Sequence, residues 1–173
     1  VYKRQGLNSL SDTISLMKIS KSLGFNKFLI MPPAYYKYGD QEVLNFYSKI
    51  IKEVIDCKII LYNFEKLSGY KFTEDLVYKL VEKYPHQIIG VKDSSYNLFE
   101  TLKIENFSLL PGSEAKLLKG LQLGCSGIIT ATTNATASLA REVYDNFFNK
   151  KDLKADKKMC EVRGAFEKFN LIS

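Results

Sequence analysis

Ile88-Ile89-Gly90-Val91 is a short apolar run that delivers a lysine, Lys92, into the polar segment Asp93-Ser94-Ser95. A run this short, rich in β-branched side chains, predicts a strand buried on both faces in a parallel sheet. Lys92 then stands at its carboxyl end, where parallel α/β folds carry their active sites. An amine with partly apolar surroundings has a lowered pKa and, once neutral, attacks a carbonyl carbon. The plainer alternative is a lysine that merely ends a strand at the solvent rim. Imine formation also needs a proton shuttle within hydrogen-bond reach of the carbinolamine oxygen. Tyr62 closes a second apolar run, Ile59-Ile60-Leu61, and offers a phenol for that purpose.

The elements that must position these two groups alternate along the chain. Strands are expected at Phe28–Met31, Ile59–Tyr62, Ile88–Val91, Ser108–Leu110 and Gly127–Thr130. Between them run helical patterns: Ile14, Leu16, Met17, Ile19 and Leu23 behind a Ser9 or Ser11 cap and before Gly24, then a stripe from Val43 to Ile55, then a helix capped by Thr73. Shorter helices are expected at Leu98–Leu102 and, capped by Ser113, through Leu117, Leu118 and Leu121; two more follow, one bearing Leu139, Val143 and Phe147 and one from about Leu153 to Phe169. Strands that recur about every 20 to 30 residues with helices between them imply right-handed βαβ crossovers and a parallel sheet. Five such strands fit either an open sheet or the second part of a (β/α)8 barrel. No Gly-rich phosphate-binding turn follows any of them, which argues against a dinucleotide-binding fold. The strand ends converge on one mouth, with Tyr35 and Tyr36, Tyr62, Lys92, Gly112-Ser113-Glu114 and the segment Thr130–Asn134 around it.

Composition narrows the chemistry further. The 173 residues are 46% hydrophobic and carry a net charge of +6, enough for a sizeable core and suited to small anionic ligands. Lysines are scattered through amphipathic segments rather than gathered with aromatics, so neither a nucleic-acid partner nor a membrane is expected. Cys57, Cys125 and Cys160 match no paired metal-ligand spacing and point to free thiols in the cytoplasm, without a metal. His86, the sole histidine, falls in a polar stretch and reads as a surface loop residue.

Taken in order, Pro33-Ala34-Tyr35-Tyr36, Leu61-Tyr62-Asn63, Gly90-Val91-Lys92-Asp93-Ser94-Ser95, Leu110-Pro111-Gly112-Ser113-Glu114 and Leu123-Gly124-Cys125-Ser126-Gly127-Ile128-Ile129 resemble the dihydrodipicolinate synthase and N-acetylneuraminate lyase family of class I, Schiff-base pyruvate aldolases. The resemblance implies a (β/α)8 TIM barrel. It assigns Lys92 as the Schiff-base lysine, Tyr62 as the proton relay, and Tyr36, with Tyr35 as runner-up, as the aromatic residue of the fourth strand. Ser94, Gly112, Ile129 and Ala131 fall in the stretches that line the substrate. No cofactor is implied beyond the covalent link through Lys92. The implied partners are pyruvate or another 2-oxo acid and an aldehyde, in a homotetramer.

Departures from the family pattern refine this. Synthases that make dihydrodipicolinate hold the aldehyde's carboxylate with an arginine five residues after the relay tyrosine; here that position is Leu67, and an alkyl chain cannot replace a bidentate cation. Leu67-Ser68-Gly69 resembles neuraminate lyases and some sugar-acid aldolases instead. Those lyases use an acidic pair and a serine, where this chain offers Glu114 followed by Ala115, and Ala131. Glu114 is expected either to bind substrate hydroxyls or to be a solvated first-turn acid. A 4-hydroxy-tetrahydrodipicolinate synthase and a non-catalytic 2-oxo-acid-binding protein are the alternatives. The resemblance begins near the family's third strand, and no Gly-Thr-Thr-Gly-Glu type segment occurs here. Residues 1–173 are therefore expected to be the C-terminal part of one barrel domain, about strands 4 to 8, with 151–173 starting a C-terminal helical extension. Open sheet edges would leave such a piece inactive and poorly soluble by itself.

Overall fold

The computed structural model describes residues 3–5, 7–152 and 154–169. The chain forms two compact units, Val1–Ser108 and Leu109–Ser173. The first contains β1 (Lys3–Gln5), α1 (Leu10–Ser22), β2 (Lys27–Ile30), α2 (Asp40–Glu53), β3 (Lys58–Asn63), α3 (Glu65–Ser68), α4 (Glu74–Lys83) and β4 (Ile88–Asp93). These four strands pair in parallel, each with the next in sequence. That is the geometry of consecutive right-handed βα units, as the alternation predicts.

Burial explains why the strands read as unbroken apolar runs. Phe28, Leu29 and Ile30 of β2 and Ile59, Ile60 and Leu61 of β3 are all buried, so neither strand face meets water. On α2, Val43, Phe46, Tyr47 and Ile50 pack inward, and the Tyr47 hydroxyl donates to the Ile30 carbonyl at 2.8 Å. That bond satisfies a phenol whose burial raises its pKa well above the ordinary value. Gly39 precedes α2, and the Glu42 carboxylate accepts the Gly39 N–H at 2.9 Å. Thr73 caps α4 through the Leu76 N–H at 3.1 Å, as expected.

Close approach fixes one glycine. A Cβ on Gly90 of β4 would lie 2.5 Å from the Ser108 carbonyl oxygen, a backbone atom that cannot swing away. Gly90→Ala is expected to destabilise the fold by about 1–3 kcal/mol, the range for overpacking, seen as a lower urea midpoint at unchanged slope.

Three expectations are corrected within the first unit. Lys3–Gln5 adds a strand that the sequence pattern did not show. On α1 the buried residues are Thr13, Met17 and Ser20, whereas Leu16, Ile19 and Leu23 are exposed. The Thr13 hydroxyl donates to the Ser9 carbonyl at 2.9 Å, so a polar side chain occupies the inner face at no hydrogen-bond deficit. Leu98–Leu102 is one turn, closed by the Leu102 N–H on the Leu98 carbonyl, and not a helix. Its leading N–H groups are taken by a carboxylate described below.

β5 (Ser108–Pro111) leads into the second unit, which holds a 3-10 turn (Glu114–Lys116), α5 (Leu117–Gln122), α6 (Thr133–Phe148) and α7 (Lys154–Phe166). Leu117, Leu121, Ala140, Val143, Ala155 and Met159 make its core. Residues of the expected C-terminal extension thus pack into this unit through α7, while Leu153 and 170–173 lie outside the described residues. The expected strand Gly127–Thr130 does not form. Ser126 and Ile129 donate to the Leu109 and Pro111 carbonyls at 3.0 and 3.2 Å, two bonds of a parallel ladder. Gly127 between them has φ +142°, outside the β region, and interrupts the pairing. α6 starts at Thr133, inside the segment Thr130–Asn134 expected around the mouth. Among the described residues no helix is long and apolar enough to cross a membrane.

Candidate active site

The register of β3 with β4 places Tyr62 opposite Lys92 and Asn63 opposite Asp93. Side chains alternate along a strand, so the first pair faces one side of the sheet and the second the other. Lys92 is 3% exposed and Tyr62 7%. The Lys92 Nζ lies 3.9 Å from the centroid of the Tyr62 ring, a cation–π distance for the ammonium form and a close contact for the neutral amine. A buried lysine held against a phenol is the arrangement the sequence pointed to, and the solvent-rim alternative for Lys92 is excluded by its burial.

The chain beyond each strand is tied down behind this pair. Asn63 Nδ2 donates to Asp93 Oδ1 and to Asn97 Oδ1, both at 2.8 Å, and Asn63 Oδ1 accepts the Phe72 N–H at 3.1 Å. Asp93 accepts the N–H groups of Tyr96, Leu98 and Phe99 at 2.9, 2.8 and 3.0 Å. Ser94 donates its N–H to the Asn63 carbonyl at 2.8 Å, and Ser95 Oγ accepts the Glu65 N–H at 2.9 Å. Sequence reasoning passed over Asn63, Asp93 and Asn97. The available signal was adjacency, since each strand's reactive residue is followed directly by a short side chain able to bond backbone groups.

Other expected site residues of the first unit are placed differently. Tyr35 is 88% and Tyr36 67% exposed, on the loop after β2, and their rings meet edge to face at 5.0 Å. The structure does not gather them into the buried Lys92–Tyr62 pair. Tyr35 has φ +86°, an uncommon conformation for an aromatic residue. Leu67 on α3 is 50% exposed. Ser94, two residues after Lys92, is half-buried.

In the second unit Gly112 and Ile129 are half-buried and Ala131 is exposed. Glu114 is fully buried, so it is not a solvated first-turn acid. Its Oε2 accepts from Arg163 Nη1 at 2.6 Å and Thr130 Oγ1 at 2.9 Å, and its Oε1 accepts from Thr136 Oγ1 at 3.0 Å and from the Thr132 hydroxyl. Arg163 Nη1 also donates to Thr130 and Thr132. Burial alone would raise the Glu114 carboxyl; hydrogen bonds from Thr132, Arg163 and Thr130 outweigh it and hold the group below its usual range. With both oxygens engaged by protein donors, Glu114 forms a structural ion pair here rather than presenting itself to substrate hydroxyls. Arg163 lies 49 residues away in sequence, and no local pattern announces the pairing. Among the described residues no group of three or more His, Cys, Asp and Glu side chains is arranged to hold a metal ion.

The profile of the dihydrodipicolinate synthetase family matches residues 1–165. The chain is 32% identical over 145 residues to 4-hydroxy-tetrahydrodipicolinate synthase of Methanopyrus kandleri, covering 81% of this chain and 48% of that protein. It is 30% identical over 146 residues to N-acetylneuraminate lyase of Lactiplantibacillus plantarum, covering 82% and 49%. It thus spans about half the length of these curated relatives. In structure it is similar to YagE, a prophage protein of the dihydrodipicolinic acid synthase family from E. coli K12 solved with pyruvate, at a TM-score of 0.87 and 22% identity over 96% of this chain and 59% of that one. At that identity the likeness shows the fold alone, and it agrees with reading the parallel βα units as part of a barrel. Because the family profile runs through nearly the whole chain and both paired strand ends, this chain belongs to the dihydrodipicolinate synthetase family.

Proposed function

We propose that this chain carries the Schiff-base centre of a class I aldolase-type lyase acting on pyruvate or another 2-oxo acid. One observation carries the reading: a lysine amine buried on a strand end and held against the tyrosine of the neighbouring strand. The neutral Lys92 amine adds its lone pair to the ketone carbon, and the carbonyl oxygen becomes a carbinolamine hydroxyl. Tyr62 gives that oxygen a proton, water leaves, and the C=N bond of the iminium forms. The iminium then accepts an electron pair from the neighbouring carbon, either as a C–H proton departs or as a C–C bond breaks with release of an aldehyde. In the synthetic direction the enamine carbon attacks the aldehyde, whose oxygen takes up a proton, and hydrolysis frees Lys92. The chemistry runs through the covalent link alone, with no added cofactor.

Leu67 supports a neuraminate-lyase-like or sugar-acid-aldolase-like second substrate. The position presents an alkyl chain to solvent and offers no cation to an aldehyde's carboxylate. Tyr36 and Tyr35, exposed on their loop, are available to complete the site in a homotetramer, the assembly this reading carries with it. The protein would act in the cytoplasm. The test uses the complete protein with pyruvate and borohydride, followed by peptide mass spectrometry. A reduced pyruvyl adduct on Lys92 is expected. Folded protein that gives no adduct with pyruvate or other 2-oxo acids would sink the assignment in favour of a non-catalytic binding protein.

A further inference from the structure

Asn63 and Asp93 pair across β3 and β4 on the face opposite Tyr62 and Lys92, and both are fully buried. A carboxylate and an amide there lose hydration that aliphatic side chains would not. What they gain is direction. A hydrogen-bonded amide–carboxylate contact at 2.8 Å fixes the lateral and rotational setting of two strands, whereas aliphatic neighbours tolerate slip.

That setting needs fixing because the ladder between these strands is irregular. Ile59 pairs with Ile88 but Ile60 pairs with Gly90, so β4 carries one extra residue. Such a bulge bends the strand, and a slip of one residue there would send Lys92 to the wrong face. Every pairing that positions the reactive groups lies beyond the bulge. Asp93 in addition holds the turn after Lys92 through the N–H groups of Tyr96, Leu98 and Phe99.

We infer that Asn63 and Asp93 are positioning residues: their contact re-locks the strand register beyond the bulge and thereby sets the Lys92 amine against Tyr62. The inference rests on the proposed Schiff-base role of Lys92. Neither residue touches the reacting atoms, so the effect is on rate and not on the identity of the adduct.

The experiment measures borohydride trapping, kcat and KM for pyruvate in the complete protein, with folding checked by circular dichroism and urea unfolding. Asn63→Ala removes the cross-strand contact, together with the Asn63 bonds to Asn97 and the Phe72 N–H, and leaves Asp93 its three backbone donors. It is expected to trap pyruvate on Lys92 about 10- to 100-fold more slowly, with kcat falling in parallel and KM within about threefold, the scale on which small misplacements act. Asn63→Asp, which sets two carboxylates against each other, is expected to be slower still. Adding Asp93→Asn to it relieves the facing charges and puts an amide donor opposite the new carboxylate, at the cost of the acceptor for the Tyr96 N–H, and is expected to recover part of that rate, a rescue that keeps the readout decisive should Asn63→Ala lose its fold. Wild-type trapping by folded Asn63→Ala, or a reversed pair no faster than Asn63→Asp, overturns the inference while the Schiff-base reading stands. Absence of any adduct in the wild-type protein overturns that reading and the inference with it.

Discussion

Lys92→Arg in the complete protein is expected to abolish the borohydride-trapped pyruvate adduct and reduce turnover to background. Arginine keeps the charge and much of the length but stays protonated throughout the working pH range, so it has no lone pair to add to a carbonyl. The comparison with Tyr62→Phe separates nucleophile from relay. Phenylalanine retains the ring against which Lys92 packs at 3.9 Å and removes only the hydroxyl. The adduct on Lys92 is then still expected, but kcat should fall by about 10²–10⁴-fold, the range for loss of a positioned acid–base group. Slow trapping in Tyr62→Phe with complete loss in Lys92→Arg is the pattern that assigns both roles. Equal and total loss in the two would mean that Tyr62 holds the lysine in place instead of moving its protons.

The legible parts of this chain were those in which local pattern and tertiary role coincide. β2, β3 and β4 are buried on both faces, so their apolar runs could be read directly, and the reactive residues follow those runs at once. Legibility failed where hydrogen bonding replaced hydropathy. Thr13 and Ser20 turn inward on α1 beside Met17 while Leu16, Ile19 and Leu23 turn outward, so the apolar stripe named only part of the buried face. Leu98 and Phe99 are buried like helix residues, yet Asp93 takes their N–H groups and only a single turn forms. Gly127–Thr130 has strand composition and makes two ladder-like bonds, but the backbone of Gly127 leaves the β region. In the site, the Lys92–Tyr62 pair followed from strand ends and family resemblance together. The Glu114–Arg163 pair did not, because the position of an acid at the start of a turn says nothing about a cation arriving from α7.

That ion pair carries the largest expected effect on stability. Glu114 is fully buried and the Arg163 side chain mostly so, and removing the cation strands a carboxylate left with threonine hydroxyls and a backbone N–H. Arg163→Met is expected to cost about 3–5 kcal/mol at neutral pH, the range for breaking a buried pair by deleting one partner. Combining it with Glu114→Gln removes the orphaned charge while keeping groups for the threonines, and should recover most of the loss. The pH dependence gives the sharper test. In the wild-type protein the Glu114 pKa is depressed in the folded state. Its contribution is therefore fully present above the unfolded value of about 4.3 and is lost as pH falls through the lower folded value. Without Arg163 one of the bonds that lower the carboxyl is gone, so its folded pKa rises and acidification costs the variant less: the deficit of Arg163→Met relative to wild type should shrink as the pH falls toward about 4. Urea unfolding of the complete protein at about pH 7 and about pH 3.5 measures both effects. A loss below about 0.5 kcal/mol at neutral pH, the scale of a surface substitution, would show that Glu114 and Arg163 do not act as a buried pair.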